Sequence, residues 1–60
     1  MLSLSTRIDA YLRRSGLTAT RFGRDVARDP RLVFDIRSGR EPRAPLLARI
    51  ERELSSGRKG

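Results

Sequence analysis

Arginine is the residue type in this sequence of 60 residues that is best suited to bind a ligand. All but one of its fourteen Lys and Arg residues are arginine. The chain has seven Asp and Glu residues, so its formal net charge is +7. A guanidinium makes planar, bidentate contacts with phosphate groups and with the edge of guanine. The excess of positive charge predicts an anionic partner, and the abundance of arginine favours nucleic acid over an acidic protein or a membrane surface. A GC-rich genome also enriches arginine.

The residue types on which most enzymes depend are missing. The chain has no His and no Cys, so it lacks the commonest general base, the commonest metal ligand and any disulfide. The single lysine, Lys59, lies at the end of the chain, and Glu51 and Glu53 are expected on different faces of one helix. No glycine-rich phosphate loop is present. We therefore predict that the protein is not an enzyme and uses no metal, cofactor or small-molecule ligand.

The length allows one small domain, which we place at residues 1–56 and follow with a flexible basic tail at 57–60. No apolar run approaches the roughly 20 residues of a membrane span. The start, Met1-Leu2-Ser3-Leu4, lacks the basic and apolar regions of a secretory signal. These features predict a cytoplasmic protein without a membrane partner.

Apolar spacing predicts an all-α fold, a compact domain of four helices without strands. The first helix is expected at about residues 5–14, with Thr6 and Asp9 as a weak capping box. The second is expected at about 19–27, with Thr18 as its N-cap. The inward apolar residues of these two helices are Leu4, Ile8 and Leu12 with Tyr11 beside them, then Phe22 and Val26.

The third and fourth helices each have a proline near their start. The third is expected at about 30–38, with Asp29 as N-cap and Pro30 at the first helical position, and it ends before Gly39. The fourth begins at Pro45. The inward residues of these helices are Val33 and Ile36, then Leu46, Leu47, Ile50 and Leu54.

Gly23 follows the core residue Phe22 in the interior of the second helix. Glycine inside a helix costs roughly 1 kcal/mol relative to alanine. Close approach of a neighbouring helix offsets that cost, because any longer side chain would push the two axes apart. We therefore predict that the second and third helices meet at Gly23, against the alternative that the glycine is a tolerated defect.

The spacing of these residues resembles the helix-turn-helix of the lambda-repressor-like (Cro and repressor type) DNA-binding family. The resemblance covers about residues 8–54. It rests on Phe22 with Gly23, then Val26, then Val33 and Ile36, then the basic loop Ser38-Gly39-Arg40-Glu41-Pro42-Arg43. This chain departs from the family in the turn, where Ala27 stands in place of the usual glycine and Arg28 in place of an apolar residue. The resemblance implies a transcriptional regulator that binds duplex DNA in the cytoplasm, at the nucleoid.

The resemblance also implies roles for individual residues. A recognition helix reads base edges in the major groove with its N-terminal residues, which would be Pro30, Arg31, Phe34 and Asp35. Arg31 suits guanine, and Asp35 either accepts from a cytosine amino group or braces Arg31. Phe34 contacts a thymine methyl group, or else it belongs to the core or a dimer contact, which we favour. Leu32 is ambiguous between core and interface.

Phosphate contacts are expected on both sides of this helix. The candidates are Thr18, Thr20 and Arg21 at the start of the second helix, and Arg28, Ser38, Arg40 and Arg43 around the third. The alternative is that these arginines form a solvated surface. Residues 21–43 hold seven Arg and four acids, no larger a net charge than the remainder carries, so the prediction depends on placement.

A homodimer is expected, since one module of this size makes a small footprint on DNA and a thin core. The candidate self-contacts are the apolar face of the fourth helix, for which we favour a place in the core, and any exposed part of Leu32 and Phe34. The competing interpretation is a small antitoxin-like or adaptor module whose basic face binds an acidic protein. RNA binding is a third interpretation, but the chain has few aromatics for base stacking.

Overall fold

Four helices form in the computed structural model, which describes residues 2–56, and no strand occurs within that range. The helices are α1 (Leu4–Ser15), α2 (Ala19–Ala27), α3 (Leu32–Arg37) and α4 (Ala44–Ser55). The predicted all-α, four-helix fold is therefore confirmed. The predicted tail at 57–60 lies outside the described residues.

The N-terminus of α1 is capped by Ser3 and not by the predicted Thr6–Asp9 box. The Ser3 hydroxyl accepts a hydrogen bond from the Thr6 backbone N–H at 3.1 Å and donates to the Thr6 hydroxyl at 2.9 Å. Ser3 has the extended backbone that an N-cap requires, so the helix begins one residue earlier than expected. At its other end Gly16 is left-handed, with φ +79°, and its N–H donates to the Leu12 carbonyl oxygen.

α2 has the bounds expected from the sequence, and Thr18 caps it by accepting from the Arg21 N–H at 3.1 Å. Its C-terminal end turns through Arg28, which is left-handed at φ 55° and ψ 33°. The Arg28 N–H donates to the Arg24 carbonyl oxygen at 2.9 Å, and the Asp29 N–H donates to the Gly23 carbonyl oxygen at 3.1 Å. The left-handed residue that commonly ends a helix is therefore an arginine here instead of a glycine.

α3 is shorter than the predicted 30–38, because Pro30 and Arg31 form a turn ahead of it. The Asp29 side chain accepts from the Arg31 N–H at 2.9 Å, and the Asp29 carbonyl oxygen accepts from the Leu32 N–H at 3.1 Å. Aspartate thus closes a turn over proline, as it commonly does, and Arg31 occupies the N-cap position that we assigned to Asp29. Gly39, with φ +110°, follows the end of the helix as expected.

α4 begins at Ala44, with Arg43 at the N-cap position, so the predicted start at Pro45 is wrong by one residue. Pro45 still lies in the first turn, where its missing N–H leaves no helical hydrogen bond unmade.

The core lies where all four helices meet. Its buried members are Ile8, Tyr11, Phe22, Leu32, Val33, Ile36 and Ile50. Tyr11 of α1 and Phe22 of α2 pack edge to face, with ring centroids 5.6 Å apart. Leu32 is fully buried, which assigns it to the core and removes it from any interface. Ile50 is likewise buried, and Leu46 and Leu54 pack against the core, so most of the apolar face of α4 is occupied within the chain.

Polar contacts connect α1 to the helices around it. Arg7 makes a bidentate pair with Glu51 of α4, with N–O distances of 2.9 and 2.5 Å. The Tyr11 hydroxyl donates to Glu53 at 2.9 Å. Glu51 and Glu53 therefore both make polar contacts with α1. Within residues 2–56, no helix is both long and apolar enough to cross a membrane.

Candidate nucleic-acid interface

The α2–α3 junction is built around Gly23. A Cβ atom on Gly23 would overlap the backbone carbonyl oxygen of Asp29 and would lie 3.1 Å from the Cβ of Leu32. The glycine therefore lets the turn and the first residue of α3 lie directly against α2, and these two helices make the most extensive contact in the fold. The predicted close approach is confirmed, and its nearest partner is the turn backbone.

This junction gives α3 one buried side and one exposed side. Leu32, Val33 and Ile36 are buried, as the spacing predicted for the last two. Arg31, Phe34 and Arg37, each three residues from the next, are exposed; we call these three residues the outer stripe. Residues three apart are neighbours on a helix surface, so the outer stripe presents two guanidinium groups with an aromatic ring between them.

Arg31 is the member of the outer stripe best suited to reach outwards. Its backbone is fixed by the hydrogen bond from its N–H to Asp29. Its guanidinium is exposed and forms no ion pair with any carboxylate of residues 2–56. A fixed backbone with a free side chain leaves all its guanidinium donors available to a ligand.

Phe34 is 48% exposed, so it does not belong to the core. The Arg37 guanidinium carbon lies 5.6 Å from the centre of the Phe34 ring, within the range of a cation–π contact. Arg37 also pairs with Asp9 of α1 at 2.6 Å. We did not predict a role for Arg37, although its position three residues after Phe34 was a signal that it shares the exposed side.

Asp35 pairs with Arg40 and not with Arg31. The Arg40 guanidinium lies 3.2 Å from Asp35 and 3.6 Å from Asp29, and the Arg40 N–H donates to the Asp35 carbonyl oxygen at 3.0 Å. Arg40 therefore ties the loop after α3 to the turn before it. This network counters part of the charge that Arg40 was predicted to offer to phosphate.

The other predicted phosphate contacts lie near the ends of α2 and α3, except Arg43, which lies at the N-cap position of α4. Thr20 is exposed beside the Thr18 cap, while Arg21 pairs with Asp25 at 3.1 Å. The Ser38 hydroxyl donates to the Phe34 carbonyl oxygen at 3.1 Å. Arg28 and Arg43 are exposed and have no carboxylate partner in the described part of the chain.

Unpaired arginines are not confined to this region. Within residues 2–56, those that form no ion pair are Arg13, Arg14, Arg24, Arg28, Arg31, Arg43, Arg49 and Arg52. Arg14 lies over the Tyr11 ring, 5.7 Å from its centre. Positive charge therefore covers several faces, and the outer stripe is distinguished by its arrangement.

Away from α3, hydrogen bonding alters the titration of one ion pair. The hydrogen bonds from Arg7 hold the pKa of Glu51 below its ordinary value, with a smaller opposing effect from burial. The same contact raises the pKa of Arg7. Both groups are therefore charged at neutral pH, and the pair ties α1 to α4.

In residues 2–56, no group of carboxylates could hold a metal ion. Comparisons with models of protein families, with curated proteins and with solved structures find no match. The resemblance to the lambda-repressor-like family therefore depends on the residues quoted above.

Proposed function

We propose that this chain is a sequence-specific DNA-binding protein, a small transcriptional regulator whose segment 30–38 enters the major groove of duplex DNA through a helix-turn-helix formed by α2 and α3. The observation that carries the proposal is the outer stripe. A short helix packed against its predecessor at a glycine, with arginines on its free side, offers donors that match phosphate oxygens and the acceptors of guanine.

In this proposal Arg31 reads guanine, and Pro30, Phe34 and Asp35 contact neighbouring base edges. Thr18, Thr20, Arg21, Arg28, Ser38, Arg40 and Arg43 serve the phosphates. Among the arginines, Arg28 and Arg43 are the strongest candidates, since both are exposed and unpaired within residues 2–56. Arg21 and Arg40 would first have to leave or share their carboxylate partners.

We further propose that the protein acts as a homodimer at the nucleoid. The Cα atoms extend over 26 × 26 × 20 Å, so two copies side by side, with their side chains, fit half-sites about 34–36 Å apart. The residues available for self-contact are Phe34 and the partly exposed Leu46, Leu47 and Leu54.

The second candidate function is a protein-interaction module that binds an acidic partner. It is favoured by the carboxylates of Asp29, in the turn before α3, and Asp35, within α3, which both pair with Arg40. These acids repel phosphates, whereas a protein partner with mixed charges could accommodate them.

Selection of bound sequences from a random duplex pool tests the proposal, followed by titration of the selected duplex at increasing salt. We expect an enriched symmetric motif and an affinity that falls by orders of magnitude between low and moderate salt, as counterion release requires. Arg43→Ala should flatten the salt slope by about one unit. Arg13→Ala, an exposed and unpaired arginine of α1, is the matched control and should leave the slope unchanged.

Absence of duplex binding at low salt would overturn the proposal and leave the protein-interaction module. An enriched motif without symmetry would retain DNA binding and remove the homodimer.

A further inference from the structure

Phe34 is an exposed aromatic ring at the centre of the outer stripe. In residues 2–56 the exposed large apolar side chains are Phe34 and Leu2. Leu2 lies ahead of the first helix, whereas Phe34 lies on the free side of α3. Because Leu32, Val33 and Ile36 form the buried side of α3, Phe34 is left accessible to a ligand.

Two charged residues hold this ring in place. Arg37 lies over the ring, and its guanidinium is itself anchored by the short pair with Asp9 of α1. A guanidinium that contacts an aromatic ring and a carboxylate at the same time is held by two partners. The Arg37 guanidinium, which is paired with Asp9 of α1, thus covers one face of Phe34. The rest of the ring remains open to a ligand.

The surroundings of the ring restrict what that ligand can be. Arg31 lies three residues before Phe34 and Arg37 three residues after it, so an occupant must bring a small apolar group embedded in a surface rich in anions or acceptors. The major groove of DNA offers such a group in the C5-methyl of thymine, next to base acceptors and between phosphates. The same methyl group at the same ring position occurs in 5-methylcytosine.

We propose that Phe34, held by Arg37 and Asp9, is a contact site for the C5-methyl group of a pyrimidine, so that the protein distinguishes methylated from unmethylated pyrimidines at one position of its site. This inference rests on the proposed binding of duplex DNA and names the group that the outer stripe recognises. Arg37 and Asp9 act as positioning residues.

The test replaces each thymine of the selected duplex, one at a time, by deoxyuridine, which lacks only the methyl group. We expect the parent protein to lose about fourfold in affinity at one position, the effect of removing one buried methyl-sized group. Placing cytosine at that position should weaken binding, and 5-methylcytosine should restore part of the loss. Phe34→Ala should bind the thymine and deoxyuridine duplexes equally. Phe34→Gln, a second variant whose side chain is of similar length, should do the same.

The positioning residues have a separate readout. Arg37→Lys keeps the charge but loses the planar group over the ring, so the ratio of thymine to deoxyuridine affinity should fall while the salt slope stays the same. Asp9→Asn should lower the ratio for the same reason. Leu2→Ala, which removes the other exposed apolar side chain, is the matched control and should retain the full ratio.

Equal affinity for thymine and deoxyuridine at every position would overturn this inference while leaving DNA binding intact, as would a ratio that persists in both Phe34 variants. A Phe34→Ala protein that becomes monomeric, in sedimentation, without any change in the ratio would show a dimer contact instead. Failure to bind any duplex would overturn the proposed function together with the inference.

Discussion

Arg31 combines a backbone fixed by Asp29 with a guanidinium that meets no carboxylate of the described chain. We expect Arg31→Ala to weaken binding to the preferred duplex by about 1–3 kcal/mol and to relax the preference at one base position. The measurement is a repeat of the duplex selection with the variant. Arg13→Ala serves as control. An unchanged preference after Arg31→Ala would remove Arg31 from base reading.

Within residues 2–56, Arg28 is the only residue other than glycine that has a positive φ. The left-handed conformation costs a side chain roughly 1–2 kcal/mol, and glycine adopts it freely but loses more entropy on folding. Arg28→Gly should therefore raise the stability by about 0.5–1 kcal/mol, or the melting temperature by about 2–8 °C. Arg24→Gly, four residues earlier inside α2, should lower the stability by about 1 kcal/mol. A destabilised Arg28→Gly would contradict this account of the turn.

A left-handed arginine suggests a functional use of its side chain, since glycine would fit the backbone better. If Arg28 contacts phosphate as proposed, Arg28→Gly should be more stable and bind duplex more weakly. That combination is the trade-off expected when a functional residue occupies a strained position.

At the scale of the elements, the position of α3 depends on the absence of a side chain at residue 23. Gly23→Ala places a methyl group against the Asp29 carbonyl oxygen, and backbone atoms yield less readily than a flexible side chain. We expect a loss of about 1–3 kcal/mol, although alanine is the better helix former, and Gly23→Leu should prevent close packing altogether. The measurement is thermal unfolding.

Arg24→Ala, the neighbouring exposed position, is the control for this series and should change the stability by less than about 0.5 kcal/mol. If Gly23→Ala melted at the temperature of the parent protein, the turn would have to lie farther from α2 than it does here.

The helices could be predicted from the sequence because their apolar residues repeat with the helical period. Thr18 as a cap and Gly23 as a contact followed from local rules and are confirmed. The first residues of α1, α3 and α4 were not predicted correctly, because local rules allow each of these helices to begin at more than one residue. Ser3 and Thr6 are both suitable N-cap residues, each for an N–H three residues later, and Asp29 can close a turn over Pro30 as readily as it can begin a helix there.

The long-range polar contacts could not be predicted, because they depend on how the helices are arranged in space. Asp9 and Arg37 are far apart in the chain, and nothing in the sequence pairs them. The four-residue rule for helices offered Arg31 as a partner of Asp35, as the alternative to a cytosine amino group. In the structure the loop after α3 brings Arg40 back to it, because α3 ends soon after Asp35.

At the scale of the whole molecule, the ion pair between Arg7 and Glu51 makes the stability depend on pH. Its hydrogen bonds lower the pKa of Glu51 in the folded protein, so its contribution is present above the ordinary glutamate value of 4.5 and is lost as the pH falls through the lowered pKa. Glu51→Gln should lower the melting temperature at neutral pH and reduce its dependence on pH below 4.5. The measurement is thermal unfolding across that range at low salt.

Glu41→Gln is the control for this pair, since Glu41 is exposed and has no ion pair within the described residues. It should leave the melting profile of the parent protein unchanged. Both groups of the Arg7–Glu51 pair are more than one-third exposed, so added salt should narrow the difference between the parent and Glu51→Gln. Identical profiles for Glu51→Gln and the parent would show that α1 is held to α4 by its apolar contacts alone.

The overlap that any side chain at residue 23 would make also limits how this sequence can diverge. Surface arginines can be exchanged, gained or lost as the bound partner changes, and the core can be refilled with other apolar residues of similar volume. Residue 23 has no such latitude while the Asp29 carbonyl oxygen stays where it is. A distant descendant of this chain would be recognised by a residue that binds nothing, a glycine six positions before the aspartate of the turn.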